Sequence, residues 1–247
     1  MPPSLPCADL AAAMVAQPCA LLFLDTAAIL DILRVPFRHE LQVDIIDSAA
    51  IIVDEALAEP RRVWLVASAN VIQEFEGRRA QVVDELNARI RDLSLSIARV
   101  SSVAKIAFPE RRFNPLNLLE LKLEQRVQGI MDRLVNSMVI FRGTPMCVGR
   151  ARDRLWAGRP PASKARQEFK DCEIFEEFLE LLSAIRHMGF EPPAIFITPN
   201  KGDYGPPSRW APTNCIGDVG FRGIVCRQLV AGAGFASDSI QVTPGTS

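Results

Sequence analysis

Five apolar residues, Ala20 to Leu24, run directly into Asp25 and Thr26, after which Ala28, Ile29, Ile32 and Leu33 recur on one helical face. A short apolar run bounded by polar residues reads as a buried strand, and i, i+3, i+4 spacing as an amphipathic helix. "LQVDIIDSAAIIVDEALAE" predicts a second helix, stopped by Pro60, and Val63 to Ala67 the next strand. Ser68 or Asn70, both good N-caps, opens a long helical stretch. The pattern stays helical from Val71 to about Arg142, with breaks at Phe108-Pro109 and Asn114-Pro115. An amphipathic stripe passes through Leu118, Leu121, Val127, Ile130 and Leu134. Two long helices are expected here, a protruding hairpin among the arrangements open to them. Residues 143–170 read as a basic loop. "DCEIFEEFLELLSAIRHMG" predicts a helix closing on Gly189, and Ala194 to Thr198 a strand between Pro-Pro and Pro-Asn-Lys-Gly.

Strands alternating with helices predict an α/β fold, a three-layer α/β/α arrangement around a central parallel sheet. The expected organisation is one domain over 1–205, carrying a long helical insertion at about 81–158, and a partly irregular extension over 206–247. Beyond Pro206 the chain is rich in Gly and Pro; one strand is expected at "RGIVCRQL" and disorder in the last ten residues.

Composition narrows the chemistry. The 247 residues are 49% hydrophobic and 23% charged, enough for a sizeable core, and a net charge of −1 gives no global attraction to nucleic acid. The six cysteines include no C-x-x-C pair and suit reduced thiols. Two histidines make a His-rich zinc site a poor fit. The N-terminus lacks the basic segment of a signal peptide and no run reaches the length of a membrane span, so a cytoplasmic protein without membrane association is expected.

Carboxylates are then the place to look. Asp25 follows the first strand, Glu74 and Glu76 lie early in the helix after the second, Asp171 opens the helix before the last strand, and Asn200 and Asp203 follow that strand. In a parallel sheet these points share the C-terminal edge, where ligands bind. Each also has a structural use: Asp is an N-cap, and an acid in a first helical turn complements the helix dipole. Asp171 leads the stripe Ile174, Phe175 and Phe178, whereas Glu173, Glu176, Glu177 and Glu180 read as solvated charge. Carboxylates grouped at such an edge repel one another, and a hard cation such as Mg²⁺ or Mn²⁺ resolves that conflict.

"FLDTAAILDIL", "SANVIQEFEGRR", "KDCEIFEEFLELL" and "FITPNKGDY", in this order, resemble the four signature segments of the PIN-domain nucleases, most of all the larger PIN-like branch. The likeness covers roughly 18–80 and 160–205; the intervening helices lie outside the compact family core. Carried over, it implies metal-binding carboxylates at Asp25, Glu74 and Asp171, with Glu76 a rival to Glu74. Asn200 stands where the family often has Asp, Asp203 is the residue to take that role, and Thr198 matches the family's hydroxyl residue at the substrate. The implied activity is Mg²⁺- or Mn²⁺-dependent hydrolysis of RNA. It leaves open a toxin held by a protein antitoxin or regulator, a defence effector, a processing enzyme, and a homodimer. A non-catalytic PIN-like scaffold is the main rival.

A polyanionic substrate calls for basic residues. Arg150, Arg152, Arg154, Arg159, Lys164, Arg166 and Lys170, against Asp153 and Glu168, lead directly into Asp171. Of these, Arg159, Lys164, Arg166 and Lys170 are the candidate substrate contacts. A dinucleotide-binding reading fails because "LDTAAIL" holds no glycine, and a haloacid-dehalogenase-type phosphatase would want Asp where Ala27 stands.

Overall fold

A computed structural model describes residues 4–111, 116–162 and 168–199. Asn200, Asp203, Lys164, Arg166 and the 206–247 extension, with its expected strand and disordered end, lie outside the described residues. In chain order the elements are β1 (Leu5–Pro6), α1 (Cys7–Ala16), β2 (Ala20–Leu24), α2 (Thr26–Arg34), α3 (Asp44–Leu57) and β3 (Val63–Ser68). There follow α4 (Ala69–Ala107), α5 (Leu123–Ser137), β4 (Val139–Arg142), α6 (Pro145–Trp156), α7 (Phe169–His187) and β5 (Ala194–Ile197).

The strands form one sheet in the order β1-β4-β3-β2-β5, and every pairing is parallel. Consecutive residues of a strand face opposite sides. All six residues of β3 and all four of β5 are buried, so helices cover both faces of the sheet. The helices fall into two packed groups. α2 packs on α4 and α5, and α3 on α5, while α1 and α6 both pack on α7. The protein is an α/β fold around a parallel sheet.

The centre of the core is aromatic. Phe23 of β2 stacks on Phe196 of β5 at 5.4 Å between ring centroids, and Phe178 of α7 meets both. Burying each such ring is worth about 1.5–3 kcal/mol. The register that pairs Phe23 with Phe196 and Leu24 with Ile197 also fixes what comes next: Asp25 and Thr198 leave the sheet side by side.

Three expectations need correction. The helical stretch expected to reach Arg142 ends at Ser137, and Val139–Arg142 enters the sheet between β1 and β3. Four apolar-rich residues directly after an amphipathic helix carry no turn signal, which hid the strand. The range 81–158 is therefore no simple insertion, because it supplies a sheet strand. The expected basic loop contains α6, opened by Pro145 at the first helical position. α4 is one 39-residue helix, about 58 Å long at 1.5 Å per residue, and its buried residues stop at Ile90.

Candidate active site

The C-terminal edge of the sheet is built around Asp25. Its N–H donates to the Ile197 carbonyl at 3.0 Å, tying the end of β2 to that of β5. Its carboxylate caps α2, accepting from the Thr26 N–H at 2.7 Å, and its second oxygen accepts from the Thr198 hydroxyl at 2.9 Å. Asp25 is only 4% exposed. Burial pushes its pKa up to about 6; the two hydrogen bonds pull against that rise and the neighbouring Glu74 adds to it. Thr198, expected at the substrate, is buried and in this structure serves as a support of Asp25.

Thr26 joins Asp25 to α4. While its N–H serves Asp25, its hydroxyl donates to Glu74 at 3.0 Å, linking two carboxylates from segments nearly fifty residues apart. Glu74 also pairs with Arg78 at 2.9 Å, one helical turn on. Glu76 is exposed on α4. α4 itself starts on Ser68, whose hydroxyl accepts from the Val71 N–H at 3.4 Å, a long N-cap bond.

Asp171 stands in the first turn of α7. Its pKa is raised well above the ordinary aspartate range, first by burial, then by a hydrogen bond and charge from Glu168, then by the charges of Asp25 and Glu74. Asp25, Glu74 and Asp171 thus come from three segments to one edge. Glu168, counted in the sequence only as an offset to basic charge, joins them. Beside Glu74 a small cleft is lined by Asn70, Gln73, Lys170, Glu173 and Ile174. Lys170 and Arg159 are exposed.

The donors are all carboxylate oxygens, which suits a hard divalent cation. In this arrangement, however, each carboxylate already has a protein partner. Among the described residues no group of three or more His, Cys, Asp or Glu is placed to hold a metal ion as it stands. The residues fit such an ion by chemistry, and Glu74 and Asp171 would have to turn from Arg78 and Glu168 to hold it.

The acids read as solvated charge on α7 are corrected by the structure. Glu176 and Glu177 are buried. Glu176 accepts from Arg154 at 2.7 Å and from Arg150 at 3.2 Å, while Glu180 pairs with Arg150 and accepts from the Thr144 backbone and hydroxyl at the start of α6. Glu177 reaches the strand ends: it accepts from Asn70 at 3.1 Å and packs so close to Gly143 that a Cβ there would lie 2.7 Å from its Cγ. Burial pushes Glu177 up to about 7, against hydrogen bonds from Ser68 and Asn70. Arg154 is consequently neutralised inside the fold, and Arg150, half-exposed, is paired with Glu176 and Glu180. Matched i, i+4 spacings, Arg150/Arg154 and Glu176/Glu180, were the one signal in the sequence for this pairing.

Compared with known protein families, curated proteins and solved structures, the chain matches none. Among the described residues no helix is long and apolar enough to cross a membrane.

Proposed function

We propose that the chain is a PIN-like, three-layer α/β/α ribonuclease that hydrolyses RNA phosphodiester bonds with the help of Mg²⁺ or Mn²⁺. The observation that carries this reading is the meeting of Asp25 and Glu74 on Thr26, with Asp171 in range of both charges. Asp25, Glu74 and Asp171 would hold the ion. When bound, it would lower the pKa of a water and offset charge on the scissile phosphate.

The protein's own groups have defined tasks. Thr26 and Thr198 fix the orientation of the Asp25 carboxylate, so its geometry does not depend on a mobile side chain. Glu168 hydrogen-bonds Asp171 and, with burial, favours its protonated form, which must be given up for Asp171 to act as an anionic ligand. Arg78 holds Glu74 in the absence of another cation. Lys170 borders the cleft at Glu74 and presents its ammonium to an incoming phosphate.

The test is cleavage of labelled single-stranded RNA in Mg²⁺ and in Mn²⁺ by the parent, Asp25→Asn and Asp171→Asn. Activity in the parent and its loss in both variants, each with an intact melting transition, is expected. Full activity in both variants refutes the site. An inactive parent that also fails to bind either ion favours the non-catalytic scaffold, a reading supported by the protein partners that each carboxylate already has.

A further inference from the structure

The chain has three tryptophans. Trp64 is buried, and its indole N–H donates to the Gln17 carbonyl. Trp156, the last residue of α6, is 74% exposed. Arg152, one turn earlier, holds its guanidinium 5.0 Å from the centre of that indole, and exposed Arg159 follows three residues on. The arginines of this segment are sorted. Arg150 and Arg154 turn inward to Glu176 and Glu180, whereas Arg152 and Arg159 form no ion pair among the described residues.

The end of α6 is also held next to the carboxylate edge. Arg154 binds the Pro160 carbonyl at 2.6 Å and lies over Phe175 of α7, and Ala162 is buried against Cys172. Cys172 directly follows Asp171. The C-terminal end of α6, which carries the exposed indole with Arg152 over it and Arg159 three residues on, therefore lies beside the first turn of α7, where Lys170 and Asp171 lie. Bases of any sequence stack on an aromatic face, while arginines track the phosphates. Bases paired within a duplex are shielded from such a surface.

We propose that Trp156, Arg152 and Arg159 form a platform for unpaired RNA that presents the strand to the carboxylate edge. Trp156 stacks a base and the two arginines contact phosphates. The platform rests on the ribonuclease reading for its choice of RNA and narrows that reading to single-stranded substrate. Arg152 and Arg159, which form no ion pair among the described residues, favour a polyanion over an apolar protein partner at Trp156.

The experiment is fluorescence anisotropy with a short labelled RNA, single-stranded or annealed to its complement, on full-length protein carrying Asp25→Asn so that the RNA survives. Tighter binding of the single strand is expected. Adding Trp156→Ala should weaken it roughly 5- to 100-fold, and Trp156→Phe should retain most of the affinity. Arg152→Ala with Arg159→Ala should reduce the log–log salt slope by about 1.4, at about 0.7 per phosphate contact. No binding, equal or tighter binding of the duplex, or an unchanged affinity in Trp156→Ala overturns the platform; the last of these would leave Trp156 to a protein partner. The two readings fail separately. Trp156-dependent binding by a parent that cleaves nothing removes the hydrolytic reading alone, and Asp25-dependent cleavage with Trp156-independent binding removes the platform alone.

Discussion

Replacing Asp25 by Asn should make the metal-free protein more stable at neutral pH. The carboxyl is 4% exposed, and burial raises its pKa from 3.8 to about 6. For an acid, a folded-state value above the unfolded one means that the folded chain binds the proton more tightly. Stability then falls as pH rises through the window between about 3.8 and 6, and stays lower above it. The rise from 3.8 to about 6 corresponds to about 3 kcal/mol. Asn fits the same space. Its oxygen can accept from the Thr26 N–H, and its amide can donate to the Thr198 hydroxyl once that hydroxyl turns. Any fixed difference between Asn and a protonated Asp is the same at every pH, so the decisive quantity is the change with pH. The stability of Asp25→Asn relative to the parent should rise by about 2.4 kcal/mol between pH 4 and pH 8, in EDTA, the remainder falling below pH 4. For a chain of this size that is roughly 5–10 °C of melting temperature. Removing the Asp25 charge also relieves Asp171, which acts in the same direction. Thermal unfolding of both proteins across this range is the assay. A stability difference that does not change with pH would show that Asp25 is not a buried, strained carboxylate.

Other perturbations reach the neighbouring contacts. Gly143→Ala would set a Cβ 2.7 Å from the Glu177 Cγ and 3.2 Å from the Cys147 Sγ, and a loss of about 1–3 kcal/mol in a denaturant titration is expected. Arg154→Met leaves Glu176 buried without its closest cation and should cost about 3–5 kcal/mol, most of which Glu176→Leu in the same chain should restore. Mg²⁺ or Mn²⁺ at 100 times its dissociation constant should stabilise the parent by about 2.7 kcal/mol, with a smaller gain in Asp171→Asn; identical gains in the two would remove Asp171 from the ligand set.

Local pattern was sufficient wherever one element decides the outcome. The run Ala20 to Leu24 is apolar because β2 lies inside the sheet between β3 and β5, covered on both faces, and Asp25 marks its end because a capping acid begins α2. β1 and β4 were not legible for the opposite reason. Two and four residues long, they are strands only through pairing with each other and with β3, a contact across more than sixty residues of sequence. Glu176 and Glu177 misled in the same way. Helical periodicity places them off the main apolar stripe, but a helix packed between the sheet edge on one side and α1 and α6 on the other has little solvated face. Thr26 carried no signal of its own; its double use by Asp25 and Glu74 depends on α2 packing against α4.

The helix-cap explanation of Asp25 is correct as far as it goes, since the residue does cap α2. It does not account for the rest of the edge. Asn or Ser would cap the helix equally well without placing a charge in a buried site. Glu74 is not needed to satisfy Thr26, whose hydroxyl also lies 3.4 Å from the Val71 carbonyl. Asp171 beside Glu168 complements the start of α7 at the expense of holding two acids together. Three carboxylates from separate segments, each destabilised or balanced by a nearby group, make a poor structural device and a consistent receptor for positive charge. Protons supply that charge to Asp25 and Asp171 at low pH, and Arg78 supplies it to Glu74. A divalent ion would supply it to all three at once, taking the place of the proton on Asp171 and of Arg78 at Glu74.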